Sequence, residues 1–119
     1  MDAHLLALPQ TVPLDPLPPD QVVRGGPLAG AVELHQGSGW SVGVWEHTEG
    51  TSTDVETDEV FVVLQGRATI AVEGGRTLEV GSGDVVVLDA GARTTWTVHE
   101  AVRKVYVTLP EEATAGGAR

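Results

Sequence analysis

From Leu28 onward the chain alternates short apolar runs with glycine-centred breaks. Eight segments carry this pattern: "AGAVELHQ", "SVGVWEH", "DEVFVVLQ", "RATIAVE", "RTLEV", "DVVVLDA", "TTWTVHE" and "VRKVYVTL". Their period-two alternation, their valine content and the "GSG", "QG", "EGG" and "AG" turn signals predict antiparallel strands in a sandwich or barrel. No window sustains a 3.6-residue period with good helix formers, so almost no helix is expected. Residues 1–27 differ in kind. Pro9, Pro13, Pro16, Pro18, Pro19 and Pro27 all fall there, and proline neither continues a helix nor donates to a central ladder. This stretch reads as an extended arm with an edge strand near its end. The closing "PEEATAGGAR" is small and polar and predicts a disordered tail. The expected organisation is an arm over 1–27, a barrel over 28–109 and a tail over 110–119, all within a length that suits one core.

Charge and composition narrow the partners. Seventeen acids against seven bases leave a net charge of −10, with no basic cluster longer than Arg103-Lys104. A phosphate-neutralising surface needs such a cluster, so no nucleic-acid partner is expected, and the acidic surface favours neutral or cationic small molecules. There is no cysteine, which removes disulfides, thiolate metal ligands and cysteine nucleophiles together. The N-terminus lacks a basic-then-apolar leader, and no apolar run approaches the roughly 20 residues of a membrane span. A soluble cytoplasmic protein with no membrane partner is the expectation. A serine nucleophile is not expected, and the "GSG" runs at Gly37 and Gly81 read as turns.

Candidate chemistry concentrates in two paired segments. In "DEVFVVLQGRATIAVEGGRTLEV" an acid opens a strand, Gly66 ends it as a turn, a second strand follows and Gly74-Gly75 makes a hairpin. In "VGSGDVVVLDAGARTTWTV" Gly83-Asp84 precedes a valine run and Ala90-Gly91 forms the next corner. This pair resembles the two motifs of the cupin superfamily. With the ending "TTWTVHEAVRKVYV", the chain is similar to small single-domain cupins related to the ureidoglycine aminohydrolase cupin domain and to ethanolamine-utilisation protein Q. The resemblance covers about residues 28–109. It implies an all-β jelly-roll barrel, the cupin double-stranded β-helix, and a homodimer that exchanges N-terminal strands.

The same resemblance implies a metal centre of three histidines and one glutamate, and the sequence departs from it. Glu59 and Gly66 keep the first motif's glutamate-to-glycine spacing. Its histidines would fall at Thr53 and Val55 with a three-residue spacer, or at Ser52 and Asp54 with four. Thr94 stands in the third histidine position. A transition metal needs about three or four protein ligands, so no metal or other cofactor is expected. The alternative is weak binding of manganese or magnesium through Glu59 with Asp54, His47 or His99. By their neighbours, His47 and His99 read as surface or turn residues, and His4 and His35 as exposed.

Strand parity then proposes a pocket. If Glu59 points inward, as the resemblance implies, Phe61 and Val63 share its face and Asp54, Glu56 and Asp58 form a wet outer edge, unless the four-residue spacer turns Asp54 inward. From Thr94 inward, Trp96 and Val98 follow. The last strand offers either Val102, Lys104, Tyr106 and Thr108 or Arg103, Val105, Val107 and Leu109, and Lys104 with Tyr106 are assigned to the pocket. The expected site has Glu59, Lys104 and Tyr106 as acid–base or orienting groups, with Phe61, Thr94, Trp96 and Trp45 around the ligand and Trp45 at the mouth. The function expected is binding of a small molecule. The alternative is an enzyme acting on a small nitrogen-containing metabolite, either ureidoglycine aminohydrolase-like or an acid–base lyase or isomerase.

Overall fold

The computed structural model describes residues 1–110. From 111 onward, the tail expected at 110–119 lies outside the described residues. Among the described residues the fold is all-β, with one short 3₁₀ turn at Pro19–Gln21. The strands are β1 (Asp15–Pro16), β2 (Val22–Arg24), β3 (Leu28–Gln36), β4 (Ser41–His47), β5 (Gly50–Val55), β6 (Glu59–Val72), β7 (Thr77–Gly81), β8 (Val85–Leu88) and β9 (Arg93–Thr108). They form one curled antiparallel sheet in the order β1-β3-β4-β9-β5-β2, with β6 pairing β7, β8 and β9.

The long strand β9 organises this sheet. Its second half pairs with β4, from Ser41↔Thr108 to His47↔Val102, and its first half pairs with β5, from Gly50↔Val98 to Val55↔Arg93. Along its other edge it runs beside β6 from Glu59↔Thr108 to Val72↔Thr94. Inward positions of β6 and β9 therefore lie side by side on one wall of the lumen. Phe61, Val63, Ala68, Ile70, Val86, Leu88, Trp96, Val98 and Val102 form its buried core. Burying that much apolar surface is the main driving force for closing the sheet.

Four sequence-based expectations need correction. The segments expected as "DEVFVVLQ" and "RATIAVE" are one strand, β6, and "TTWTVHE" with "VRKVYVTL" is likewise one strand, β9. Gly66 is thus not a turn that ends a strand. It sits inside β6 at φ +93° where the register to β9 shifts, and a Cβ there would collide with the backbone carbonyls of Glu100 and Ala101. The glycine lets a β-bulge bend a continuous strand around the barrel. Strand β5, "GTSTDV", escaped the apolar pattern because its buried residues, Thr51 and Ser52, carry hydroxyls.

Of the first 27 residues, β1 lies against β3 and β2 against β5. Val12 is buried, and Arg103 donates to the carbonyls of Pro9 and Gln10 while pairing with Glu46. This stretch packs on the outer face of the sheet and also reaches the open end of the lumen. No helix among the described residues is long and apolar enough to cross a membrane.

Gly66→Ala should cost about 3 kcal/mol in urea unfolding, because it combines a positive φ with a backbone clash. Gly74→Ala, at φ +73° with nothing within 4 Å of the added carbon, should cost about 1 kcal/mol. Equal costs at the two sites would refute the close approach at Gly66.

Candidate functional site

The lumen opens into a cavity of about 370 Å³ beside β4, β5, β6 and β9, with Leu17 and Gln21 of the N-terminal stretch at its edge. Lys104 and Glu59 stand at its floor. Both are buried, and the Lys104 ammonium donates to Glu59 Oε2 at 2.8 Å. The ammonium also lies 4.0 Å from the ring centre of Phe61, 4.3 Å from that of Trp45 and 4.9 Å from that of Trp96. Each such contact contributes on the order of 1 kcal/mol. The rings support one another, with Trp45 and Trp96 centroids 5.1 Å apart and Phe61 and Trp96 5.7 Å apart. A buried cation is thus held by one carboxylate and three π faces, which compensates its loss of water.

Six of the seven expected site residues, Glu59, Lys104, Tyr106, Phe61, Trp96 and Trp45, meet at this cavity or at the cation beneath it. Thr94, the seventh, is buried just beneath, and its hydroxyl donates to Glu56. The polar set of the last strand faces in, as assigned: Val102 and Lys104 are buried and Tyr106 packs against the core. Gly43 makes room for the Tyr106 phenol, since a side chain there would strike its hydroxyl. Burial, with the charges of Glu33 and Glu59, raises the Tyr106 pKa, so the phenol stays a proton donor.

Three residues overturn or extend the sequence reading. Glu56 was expected on the wet outer edge, yet it is buried and lines the cavity. Strand β5 stops at Val55, and Glu56 pairs its backbone with the corner before β9: its N–H donates to Ala92 O, and Gly91 N–H donates to its carbonyl, both at 2.8 Å. The alternation slips by one residue before β6 begins, so Glu56 and Glu59 both point inward. Glu56 Oε2 accepts from Thr94 Oγ1 at 2.6 Å and from Trp96 Nε1 at 3.1 Å. Burial raises its pKa, opposed in part by these two donors and by Lys104 and reinforced by Asp54.

His47, expected at the surface or in a turn, is 1% exposed and lines the cavity. Its Nδ1 lies 2.6 Å from the Thr48 carbonyl and its Nε2 2.9 Å from Ser52 Oγ. Burial lowers its pKa, with Lys104 adding to the effect and the Thr48 bond opposing it. Ser52 is the third residue; the four-residue spacer had marked its position as that of a motif histidine, but no role was assigned to its hydroxyl. His99 is exposed, as expected, and pairs with Thr69.

Asp54 also departs from the outer edge. It pairs in register with Thr94, as Ser52 does with Trp96, so the two residues share the lumen face of β5 and Asp54 sits at the exposed rim. The four-residue spacer is the one realised, and the positions that would carry ligands are Ser52, Asp54, Glu59 and Thr94. They do not fit a transition-metal centre. Two are hydroxyls, Glu59 is already bound to an ammonium, and no group of three or more His, Cys, Asp or Glu side chains converges among the described residues.

A curled all-β sheet whose sixth strand opens on a lumen-facing glutamate has the architecture of a cupin. The EutQ-like cupin domain matches residues 34–106, and the chain belongs to that family. Among solved structures, it is similar to a provisionally named ethanolamine utilization protein Q from Salmonella typhimurium LT2, at 25% identity over 70% of each chain and a TM-score of 0.62. The EutQ protein of Clostridium difficile shares the fold at 24% identity over 76% of each chain, with a TM-score of 0.64. A Pseudomonas syringae pv. tomato DC3000 protein of unknown function from the DUF861 family is 27% identical over 84% of this chain and 46% of its own, with a TM-score of 0.69. No match was found among curated proteins.

Two predictions follow from the buried charges. A carboxyl whose pKa is raised on folding stabilises the fold below its ordinary value of 4.5 and loses that contribution as pH rises through the raised value. Glu56→Gln should therefore gain stability over wild type at pH 8 and lose that advantage below about pH 4.5, read from unfolding midpoints across pH. Lys104→Met alone should destabilise by about 3–5 kcal/mol by stranding Glu59, and adding Glu59→Gln should recover much of that loss. A purely additive double variant would show that the pair is not coupled.

Proposed function

We propose that this chain is a small-molecule-binding cupin whose cavity takes a compact polar metabolite, with no three-histidine metal centre. The observation that carries this reading is the Lys104–Glu59 pair, set under aromatic walls at the floor of a cavity of about 370 Å³. Such a mixture of apolar walls and a few convergent polar groups is how small-molecule sites are built. A ligand with an anionic or carbonyl oxygen directed at Lys104 and Tyr106 and an N–H directed at Glu56 or the Asp54 rim would meet complementary groups. Trp45 would cover its flat face.

A second reading is favoured by Glu56. A buried carboxyl beside the cavity, with its pKa raised above the ordinary carboxyl value, is suited to donate or accept a proton. That supports an enzyme acting on a small nitrogen-containing metabolite, in the manner of an aminohydrolase or an acid–base isomerase.

The test is a thermal-shift and calorimetric screen of amino acids, ureides, amines and small hydroxy acids. A ligand at 100 times its Kd should stabilise the protein by about 2.7 kcal/mol. Trp45→Ala should weaken it about tenfold or more, and Glu56→Gln, which keeps the Lys104 and Tyr106 contacts, should still give a measurable thermal shift while abolishing any turnover. If no compound raises the melting temperature, both readings fall.

A further inference from the structure

His47 and Ser52 form a second device in the same cavity, independent of the Lys104–Glu59 pair. The Thr48 carbonyl can only accept a hydrogen bond, so His47 Nδ1, 2.6 Å away, carries the ring proton. In the neutral imidazole, Nε2 is then an acceptor, and the Ser52 hydroxyl donates to it at 2.9 Å. Burial lowers the His47 pKa, which favours the neutral ring. A nucleophile, a base and a group that orients the base thus stand in line, with a backbone carbonyl in the third place. Ser52 is 5% exposed, and both side chains line the cavity that also holds the Lys104 ammonium.

We propose that Ser52 is an acyl-accepting nucleophile activated by His47, acting on a short-chain ester or similarly activated acyl compound. This rests on the reading of the cavity as a small-molecule site. As Ser52 Oγ bonds to the acyl carbon, its proton passes to His47 Nε2. The tetrahedral intermediate then expels the leaving alkoxide, which takes that proton from Nε2 and departs as the alcohol. Water, deprotonated by the same Nε2, cleaves the Ser52 ester to release the carboxylic acid and restore the hydroxyl. Thr48 holds the Nδ1 proton throughout, and the Lys104 ammonium supplies positive charge where the oxyanion develops.

The test treats the full chain with diisopropyl fluorophosphate, which yields a stable serine ester as fluoride leaves, and maps the adduct by peptide mass spectrometry. The expected result is stoichiometric labelling at Ser52, none in Ser52→Ala, and labelling slowed about 10²- to 10⁴-fold in His47→Gln with its fold confirmed by circular dichroism. Turnover of p-nitrophenyl acetate should vanish in Ser52→Ala, while thermal shifts by ligands persist in that variant. An unlabelled Ser52 in the wild-type protein overturns the proposal without recourse to any variant, and labelling undiminished in His47→Gln overturns the role of the base. Either result, obtained while ligands still raise the melting temperature, leaves the small-molecule reading standing. Loss of both signals removes the two together.

Discussion

The structure turns on one buried ion pair. Lys104 reaches Glu59 inside a lumen walled by Phe61, Trp45 and Trp96, and neither charge could stay there without the other. The pair joins β9 to its hydrogen-bonded neighbour β6, the two longest strands, on the face that lines the lumen. It also decides what Glu59 is free to do. A carboxylate already bonded to an ammonium is not a free metal ligand, and the ammonium itself stands as the positive charge at the cavity floor. The lowered pKa of His47 feels this charge, as does the raised pKa of Glu56.

Around that pair, departures from regular strand geometry place the chemistry. The bulge at Gly66 lets β6 continue around the barrel where a rigid strand would leave it. The break between Val55 and Glu59, pinned to the Asp89–Ala92 corner, shifts the alternation by one residue and turns Glu56 inward beside Glu59. Two carboxyls then face one cavity in unlike settings. Glu59 is paired with a cation, and Glu56 is held by the neutral donors Thr94 and Trp96. Unlike settings for like groups are a common basis for dividing acid and base roles.

Membership of the EutQ-like cupin family settles the fold and leaves the chemistry to the site, because this architecture hosts many unrelated functions. The positions where a metal cupin carries histidines hold Ser52, Asp54 and Thr94 here, and each hydroxyl has taken a new partner. Thr94 caps Glu56, and Ser52 meets His47.

What the sequence determined by itself was local and periodic. Resemblance to the cupin motif singled out Glu59 and its inward direction, glycine-punctuated valine runs marked the strands, and period two grouped Phe61 with Glu59, Trp96 with Thr94 and Lys104 with Tyr106 on single strand faces. The shared faces follow from backbone geometry within one strand, which neighbouring residues report directly. The tertiary structure alone decided the rest. Glu56 turned inward because a distant corner captured its backbone, and Gly66 became a bend because the Glu100 and Ala101 carbonyls lie against it. His47 and Ser52 met because two strands, each paired to a different half of β9, bring their ends together. Period-two reasoning holds only while a strand is unbroken, and each of these contacts lies at or across a break that no local pattern encodes.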